Sequence, residues 1–301
     1  MLVLAHLSDP HLGPLPRPRP AELASKRIVG LLNWLRKRRA IHRPEVLDAI
    51  VRDLKSQAPD HIAVTGDLGN ISLPGEFITG RRWLEQLGSA QHVSFVPGNH
   101  DIYVRTAEME PARHWGAYMR GDQGVRPADD ADGFPFVRWR ENIALIGLST
   151  AVATAPLMAT GRLGVRQMAR FAEILGKLTH RSLFRVVLIH HPPAGKRHAY
   201  KRLVDAKAFR RVLAQHGAEL ILHGHDHKHA LEWIDGPKGR IPVVGAPSAS
   251  MIPGQNEDPA AYNLYWIDGS VGAWRCEMVS RGLRAGSNDV VELKRMTLIG
   301  N

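Results

Sequence analysis

Short β-branched and aliphatic runs alternate along this chain with stretches whose apolar residues recur at helical spacing. "MLVLAHL" opens as a strand. "RPEVLDAIVRDLKSQAPD" reads as a helix, with Pro44 suited to its first turn and Leu47, Ile50, Val51 and Leu54 on one face. "HIAVTGDL" and "HVSFVPGNHD" are strands separated by the helix "EFITGRRWLEQLG", which Gly88 closes. "FPFVRWR" and "IALIGLS" form an antiparallel pair, and "VRQMARFAEILGKL" is a helix with Val165, Met168, Phe171 and Leu175 on one side. "RVVLIHHPP" and "AELILHGHDH" are strands divided by the helix "DAKAFRRVLAQHG". The tail from Leu231 reads as several strands, with turns at "DGPKG" and "DGSVG". The alternation predicts an α/β sandwich.

Composition changes this picture little. One uncharged run, Asn142 to Gly161, approaches the length of a membrane span, but Pro156 and the small and hydroxyl residues after Leu148 make it a buried strand followed by a loop. The opening "MLVLAHLSD" reaches Asp9 before an apolar core develops, so neither a secretory leader nor a transmembrane helix is expected, and the setting is cytoplasmic. A single cysteine, Cys276, excludes an intramolecular disulfide and any thiolate-rich metal site. Net charge is +11, and residues Arg17 to Arg43 contribute +8 of it, from nine Lys/Arg against Glu22. The basicity is local, which argues against a nucleic-acid-coating surface.

The chemistry sits at strand ends. Five predicted strands run out into Asp9 and His11, into Asp67, into Asn99 and His100, into His190 and His191, and into His225 and His227. The C-terminal edge of an α/β sheet is where loops converge to build sites. Asp9, His11, Asp67, Asn99, His190, His225 and His227 are oxygen and nitrogen donors, too many for one tetrahedral zinc. They suit two adjacent metals if one carboxylate bridges, and Asp67, flanked by Gly66, is the natural bridge. Two metals about 3.5–4 Å apart clamp the attacking and leaving oxygens of a displacement at phosphorus and acidify the attacking water.

The ordered series D-x-H (Asp9, His11), G-D-x-x-N (Gly66 to Asn70), G-N-H-D (Gly98 to Asp101), H-H-P-P (His190 to Pro193) and G-H-x-H (Gly224 to His227) resembles the calcineurin-like metallophosphoesterase superfamily. "GDLGN" and "GNHD" differ from the G-D-x-V-D-R-G and G-N-H-E motifs of the protein Ser/Thr phosphatases and lack their arginine. They are nearer the bacterial cyclic-nucleotide and glycerophosphodiester phosphodiesterase branch. The resemblance implies a four-layer αββα sandwich of two facing mixed sheets flanked by helices. It also implies a first ion on Asp9, His11, Asp67 and His227 and a second on Asp67, Asn99, His190 and His225. His100 would face the substrate phosphate and assist the leaving group, with Asp101 orienting it, while Asn70 either touches substrate or caps its turn. His223 and His229 are expected to be bystanders and His191 a packing residue. The expected cofactors are two divalent ions, manganese, iron or zinc. The expected reaction is hydrolysis of a phosphodiester or pyrophosphate by a bridging hydroxide. A nuclease, or a binding module without catalysis on the same fold, are the rival classes.

The chain is expected to form one domain over residues 1–301, interrupted by a basic insertion at about 14–43. After a proline-rich lead-in, Ile28, Leu31, Leu32 and Leu35 make an apolar stripe, with Trp34 alongside and basic residues towards the end. Either this helix caps the core, or it is a lid or anionic-membrane-surface element over residues 17–43 that selects a lipid-linked pyrophosphate such as a nucleotide-sugar lipid. In either case it borders the site, because it leaves the chain just after His11. The basic loop Gly195 to Arg202 could steer anions or simply be solvated, and the loop after Leu148 is expected near the site. "ADDADG", 128–133, reads as an acidic surface turn.

Overall fold

The computed structural model describes residues 1–122, 133–179, 181–284 and 289–300; the acidic stretch at 128–132 lies outside them. Strand β1 (Leu2–Leu7) leads into the insertion helices α1 (Arg27–Asn33) and α2 (Arg39–Ile41), then α3 (Pro44–Ser56), β2 (His61–Val64), α4 (Pro74–Leu87), β3 (Val93–Phe95) and the short α5 (Glu110–Trp115). The antiparallel pair β4 (Phe136–Arg140) and β5 (Ile143–Gly147) precedes α6 (Gly164–Thr179), β6 (Phe184–Leu188), α7 (Ala206–His216) and β7 (Leu220–His223). The tail holds β8 (Ala230–Gly236), β9 (Gly239–Gly245), β10 (Ala261–Asp268), β11 (Arg275–Leu283) and β12 (Val290–Ile299). The uncharged run is therefore β5 and a loop. Among the described residues no helix is long and apolar enough to cross a membrane.

Two six-stranded mixed sheets result, ordered β12-β11-β10-β1-β2-β3 and β4-β5-β6-β7-β9-β8. In the first, β1 to β3 are parallel and β10 joins β1 antiparallel. In the second, β5, β6, β7 and β9 are parallel, with β4 and β8 antiparallel at the edges. Strands buried on both faces read as nearly continuous apolar runs, as β5 does throughout and β2 and β6 do apart from His61 and Arg185. Residues of both sheets, including Leu4, Leu145, Val186 and Leu220, share one core cluster with Leu47, Ile50 and Leu54 of α3 and Phe77 and Leu84 of α4. On the far side of the second sheet, Phe171 and Leu175 of α6 and Phe209 and Leu213 of α7 pack on Ile146, Val187 and Ile221. The architecture is the four-layer αββα sandwich expected.

Two helices depart from their periodic reading. Val165 falls on the stripe of α6 but is 84% exposed, because its turn opens onto a surface depression shared with Gly164 and Val204. In the insertion, Ile28, Leu32 and Leu35 are 46–51% exposed, while Trp34 is buried at 4%. The apolar stripe is not what docks this helix, so the core-capping alternative fails in that form.

Candidate metal centre

The parallel strands point their C-terminal ends to one place. β1 delivers Asp9 and His11, β2 delivers Asp67, β3 delivers Asn99 and His100, β6 delivers His190, and β7 delivers His225 and His227. Backbone bonds lace the loops together: Asp9 N donates to Gly66 O at 3.1 Å, His11 N to Asp67 O at 3.0 Å, and Gly224 N to His190 O at 3.1 Å. Asp9, His11, Asp67, His225 and His227 all sit at positive φ, between 41° and 72°. Non-glycine residues held there cost of order 1–3 kcal/mol each, and such residues cluster where the surroundings fix a functional geometry. Close approach needs glycine. A Cβ on Gly66 would stand 2.7 Å from Gly98 N, and one on Gly98 would stand 2.8 Å from the Asp67 Cγ.

Three trios present ligand atoms within 4.8 Å of one another: Asp9, His11 and Asp67; His11, His42 and His227; and His190, His191 and His225. His227 Nε2 lies 3.2 Å from Asp9 Oδ1 and His190 Nε2 lies 3.4 Å from Asp67 Oδ2. Asn99 Oδ1 is 3.2 Å from His190 Nε2. Asp9, His11, Asp67, Asn99, His190 and His227 are buried, and His225 is partly so.

Each imidazole is fixed by one nitrogen. His11 Nδ1 donates to Gly69 O at 3.1 Å, His190 Nδ1 to Thr65 O at 2.6 Å, His227 Nδ1 to Glu257 Oε2 at 2.9 Å and His225 Nε2 to Lys201 O at 2.9 Å. Such partners set tautomer and ring orientation and leave the other nitrogen turned inward, as metal ligation requires. The charges agree. Burial would lower His190 and His227, yet Asp67 lifts the first to about 10, and Asp9 lifts the second to about 9. Burial alone would raise the Asp9 carboxyl, but His227 and His190 hold it below the ordinary aspartate value. Two buried carboxylates that demand positive partners, ringed by oriented imidazoles, fit a pair of divalent cations.

The other side chains singled out by the motifs make these contacts. The Asp101 carboxylate does not orient the His100 ring. It accepts from the amides of Asp67 (2.8 Å), Gly98 (2.9 Å) and Gly69 (2.9 Å), tying two motif loops together. Burial, then Asp67, pushes it up to about 7 against those amides. His100 instead donates from Nδ1 to Asn70 O, and its ring stacks on Tyr103. Asn70 is 1% exposed and its amide donates to Leu12 O at 3.0 Å, which holds the turn. His191 meets Thr150 Oγ1 and Ala159 O, so the loop after Leu148 does lie against the site. His223 donates to Gly224 O, and His229 faces Ser280. The basic loop is ion-paired, Arg197 with Asp226 and Glu232 and Lys201 with Asp226, and its backbone supports His225.

Sequence reasoning missed three residues. Glu257 orients His227. His42, 3% exposed, packs its ring 4.6 Å from that of His11 and bonds Ser250 Oγ at 2.9 Å through Nδ1. Arg38 reaches in from the insertion: its guanidinium donates to His11 Nε2 at 2.9 Å and His100 Nε2 at 3.0 Å. The spacing of four between Trp34 and Arg38 was the available signal for the arginine.

Comparison with known proteins agrees with this geometry. A family model described as calcineurin-like phosphoesterase matches residues 2–229. A Synechococcus protein named "Probable cyclic nucleotide phosphodiesterase" is 27% identical over 235 residues, which is 76% of this chain and 80% of that one. A dimetal phosphatase from Danio rerio superposes with a TM-score of 0.64 at 12% identity, covering 100% of this chain and 99% of the other. A purple acid phosphatase from yellow lupin (Lupinus luteus) seeds gives 0.57 at 10% identity over 98% and 53% of the two chains. These structural likenesses bear on the fold. Taken with the motif series and the match across most of its length, they leave one conclusion: the chain belongs to the calcineurin-like phosphoesterase family, metal-dependent hydrolases of phosphoesters.

Proposed function

We propose that the protein hydrolyses a phosphodiester at a two-ion centre. Asp9, His11, Asp67 and His227 would hold one ion and Asp67, Asn99, His190 and His225 the other. The observation that carries this reading is the set of four imidazoles, each tied by one nitrogen with the other turned toward Asp9 or Asp67 or their neighbours. When bound, such ions acidify water and take up charge on phosphoryl oxygens. The chain's own residues do the rest. Asp101 and Gly98 keep the loop carrying Asn99 and His100 against Asp67. Burial and then Arg38 lower His100 to about 4, so its Nε2, which faces the site, accepts from Arg38 and carries no proton at rest. To protonate a departing alkoxide it would first take up a proton, which an anionic phosphate beside the ring would favour. The likeness to a phosphodiesterase over 76% of the chain supports a diester as substrate.

The test is metal analysis with activity on bis(p-nitrophenyl) phosphate. The parent should carry two ions per chain and lose hydrolysis to a chelator. Asp67→Ala should lose both ions; two tightly held ions in that variant would sink the bridging role.

A second reading, in which the substrate is a lipid-linked pyrophosphate drawn from an anionic membrane surface, rests on one observation. The stripe Ile28, Val29, Leu32 and Leu35 is 38–51% exposed, with the exposed Arg36, Lys37 and Arg39 just beyond it.

A further inference from the structure

The loop Gly66 to Asn70 offers no arginine, yet a guanidinium stands in the site. It arrives from the insertion. α1 runs straight into Trp34–Arg38, wound as one turn of π-helix, a distortion that often marks a functional position in a helix. Four residues before Arg38, Trp34 is buried with its ring against Gly13; four residues after it, buried His42 bonds Ser250. Trp34 and Arg38 lie about one helical turn apart and look inward together, and His42, in extended backbone just past the end of α2, points to the same side. Farther back, Arg27 donates to the carbonyls of Ile71 and Ser72, and Lys26 lies 4.2 Å over the Tyr103 ring that stacks on His100. The backbone of Arg38 is thus braced on both sides of the loops that carry His11 and His100.

Its side chain has no matching partner. Among the described residues the guanidinium meets the nitrogens of two imidazoles, His100 and His11, and forms no ion pair. Asp67, Glu257 and Asp9 favour its charge from a distance, but none forms an ion pair with it, so its donors are left to neutral imidazoles, and burial of such a cation is costly unless an anion comes to it. The planar fork suits two phosphoryl oxygens at once, which a lysine cannot match.

We infer that Arg38 grips the substrate phosphate beside His100, a binding role delivered by the insertion and not by the strand-end loops. This rests on the phosphodiesterase reading above. With an ion on His11 the guanidinium would give up His11 Nε2, and it would then turn from the imidazoles to two phosphoryl oxygens, freeing His100 Nε2 as well.

The experiment compares the manganese-loaded parent, Arg38→Ala and Arg38→Lys. Three quantities are read: metal content, inorganic phosphate affinity by titration calorimetry, and kcat and KM on bis(p-nitrophenyl) phosphate. Arg38→Ala should keep the parent's metal content and bind phosphate about ten- to a hundred-fold more weakly, the range for losing hydrogen bonds to a charged group. KM should rise, Arg38→Lys should recover part of the loss, and added guanidinium should partly rescue Arg38→Ala. Unchanged phosphate affinity with metals retained overturns the inference. So does loss of the ions from both variants, which would make Arg38 a support of the metal centre. A parent that binds no ions and hydrolyses no diester would instead sink the functional reading beneath it, which separates the two failures.

Discussion

Asp101 offers the sharpest contrast between motif and geometry, and Asp101→Ala is the perturbation that separates them. The motif reading has the carboxylate orient His100; the structure gives it three backbone amides, those of Asp67, Gly69 and Gly98, at 2.8–2.9 Å. Truncation strands three buried donors, each worth about 1–3 kcal/mol when left without a partner. Water can enter the vacated space, and burial already disfavours the ionised carboxyl, whose value lies at about 7. The low end therefore applies, about 3 kcal/mol, a large share of the roughly 5–15 kcal/mol that holds a domain folded. Asp101→Asn keeps one oxygen where two amides converge, so it should lose about 1–2 kcal/mol. Urea denaturation of chelator-treated parent and variants measures this without the added stability that bound ions contribute. If Asp101→Ala shifts unfolding by less than about 1 kcal/mol, yet turnover of the loaded variant collapses with both ions retained, then Asp101 acts on His100 after all and the loop-tie reasoning is wrong.

Three further outcomes follow from the same structure. His100→Ala should keep its ions and lose about 10²–10⁴-fold in turnover, less with a nitrophenolate leaving group that needs no proton; equal losses on good and poor leaving groups would count against proton donation. Asp53 accepts from Arg281 Nε and Nη2 at 2.7 and 2.8 Å and from the Tyr262 hydroxyl at 2.6 Å, and these bonds hold its carboxyl below 3.8 against the opposing effect of burial. Asp53→Asn should cost about 1.5–3 kcal/mol near neutral pH. Because the folded value is depressed, that difference is fully present above the unfolded value and shrinks as pH falls through the folded one; a gap in unfolding free energy that does not narrow as the solution is acidified would refute the pairing. On the lipid reading, the protein should sediment with anionic but not neutral vesicles at low salt, and reversing Arg36, Lys37 and Arg39 should abolish this at about 1 kcal/mol per charge. Arg38 is left intact in that variant, since it faces the site. A parent that ignores anionic vesicles would end the lipid reading.

The fold was legible because its strands are apolar runs and its helices carry clean stripes, as Leu47, Ile50 and Leu54 show by their burial. The strand-end donors were legible because they combine residue type with position. What escaped were residues joined to the site only by tertiary path. Glu257 comes from an irregular loop after β9 and reaches His227 from thirty positions away. His42 and Arg38 arrive through a helix whose more obvious apolar stripe faces elsewhere. The amide partners of Asp101 were hidden for a different reason. Asp101 adjoins His100 in sequence, but neighbouring side chains diverge, and its carboxylate turns back under the loop while the imidazole turns outward.

The insertion inverts the usual logic of a surface helix, which buries its apolar stripe and shows water its charges. Here Ile28, Leu32 and Leu35 are about half exposed, while the face carrying Trp34, Arg38 and His42 is turned inward. Burial of Trp34 and Ile41 favours that orientation, but it brings the Arg38 guanidinium in from water with them, which costs hydration. Specific tethers add to it: Trp34 against Gly13, Arg27 on two carbonyls, Lys26 over Tyr103, and His42 on Ser250. The anchors fall on the segments that follow His11, Asp67 and His100 and on Ser250 after β9. An insertion fastened at four points to the segments around the metal site, with the Arg38 guanidinium on His11 and His100, is an element whose placement serves the site.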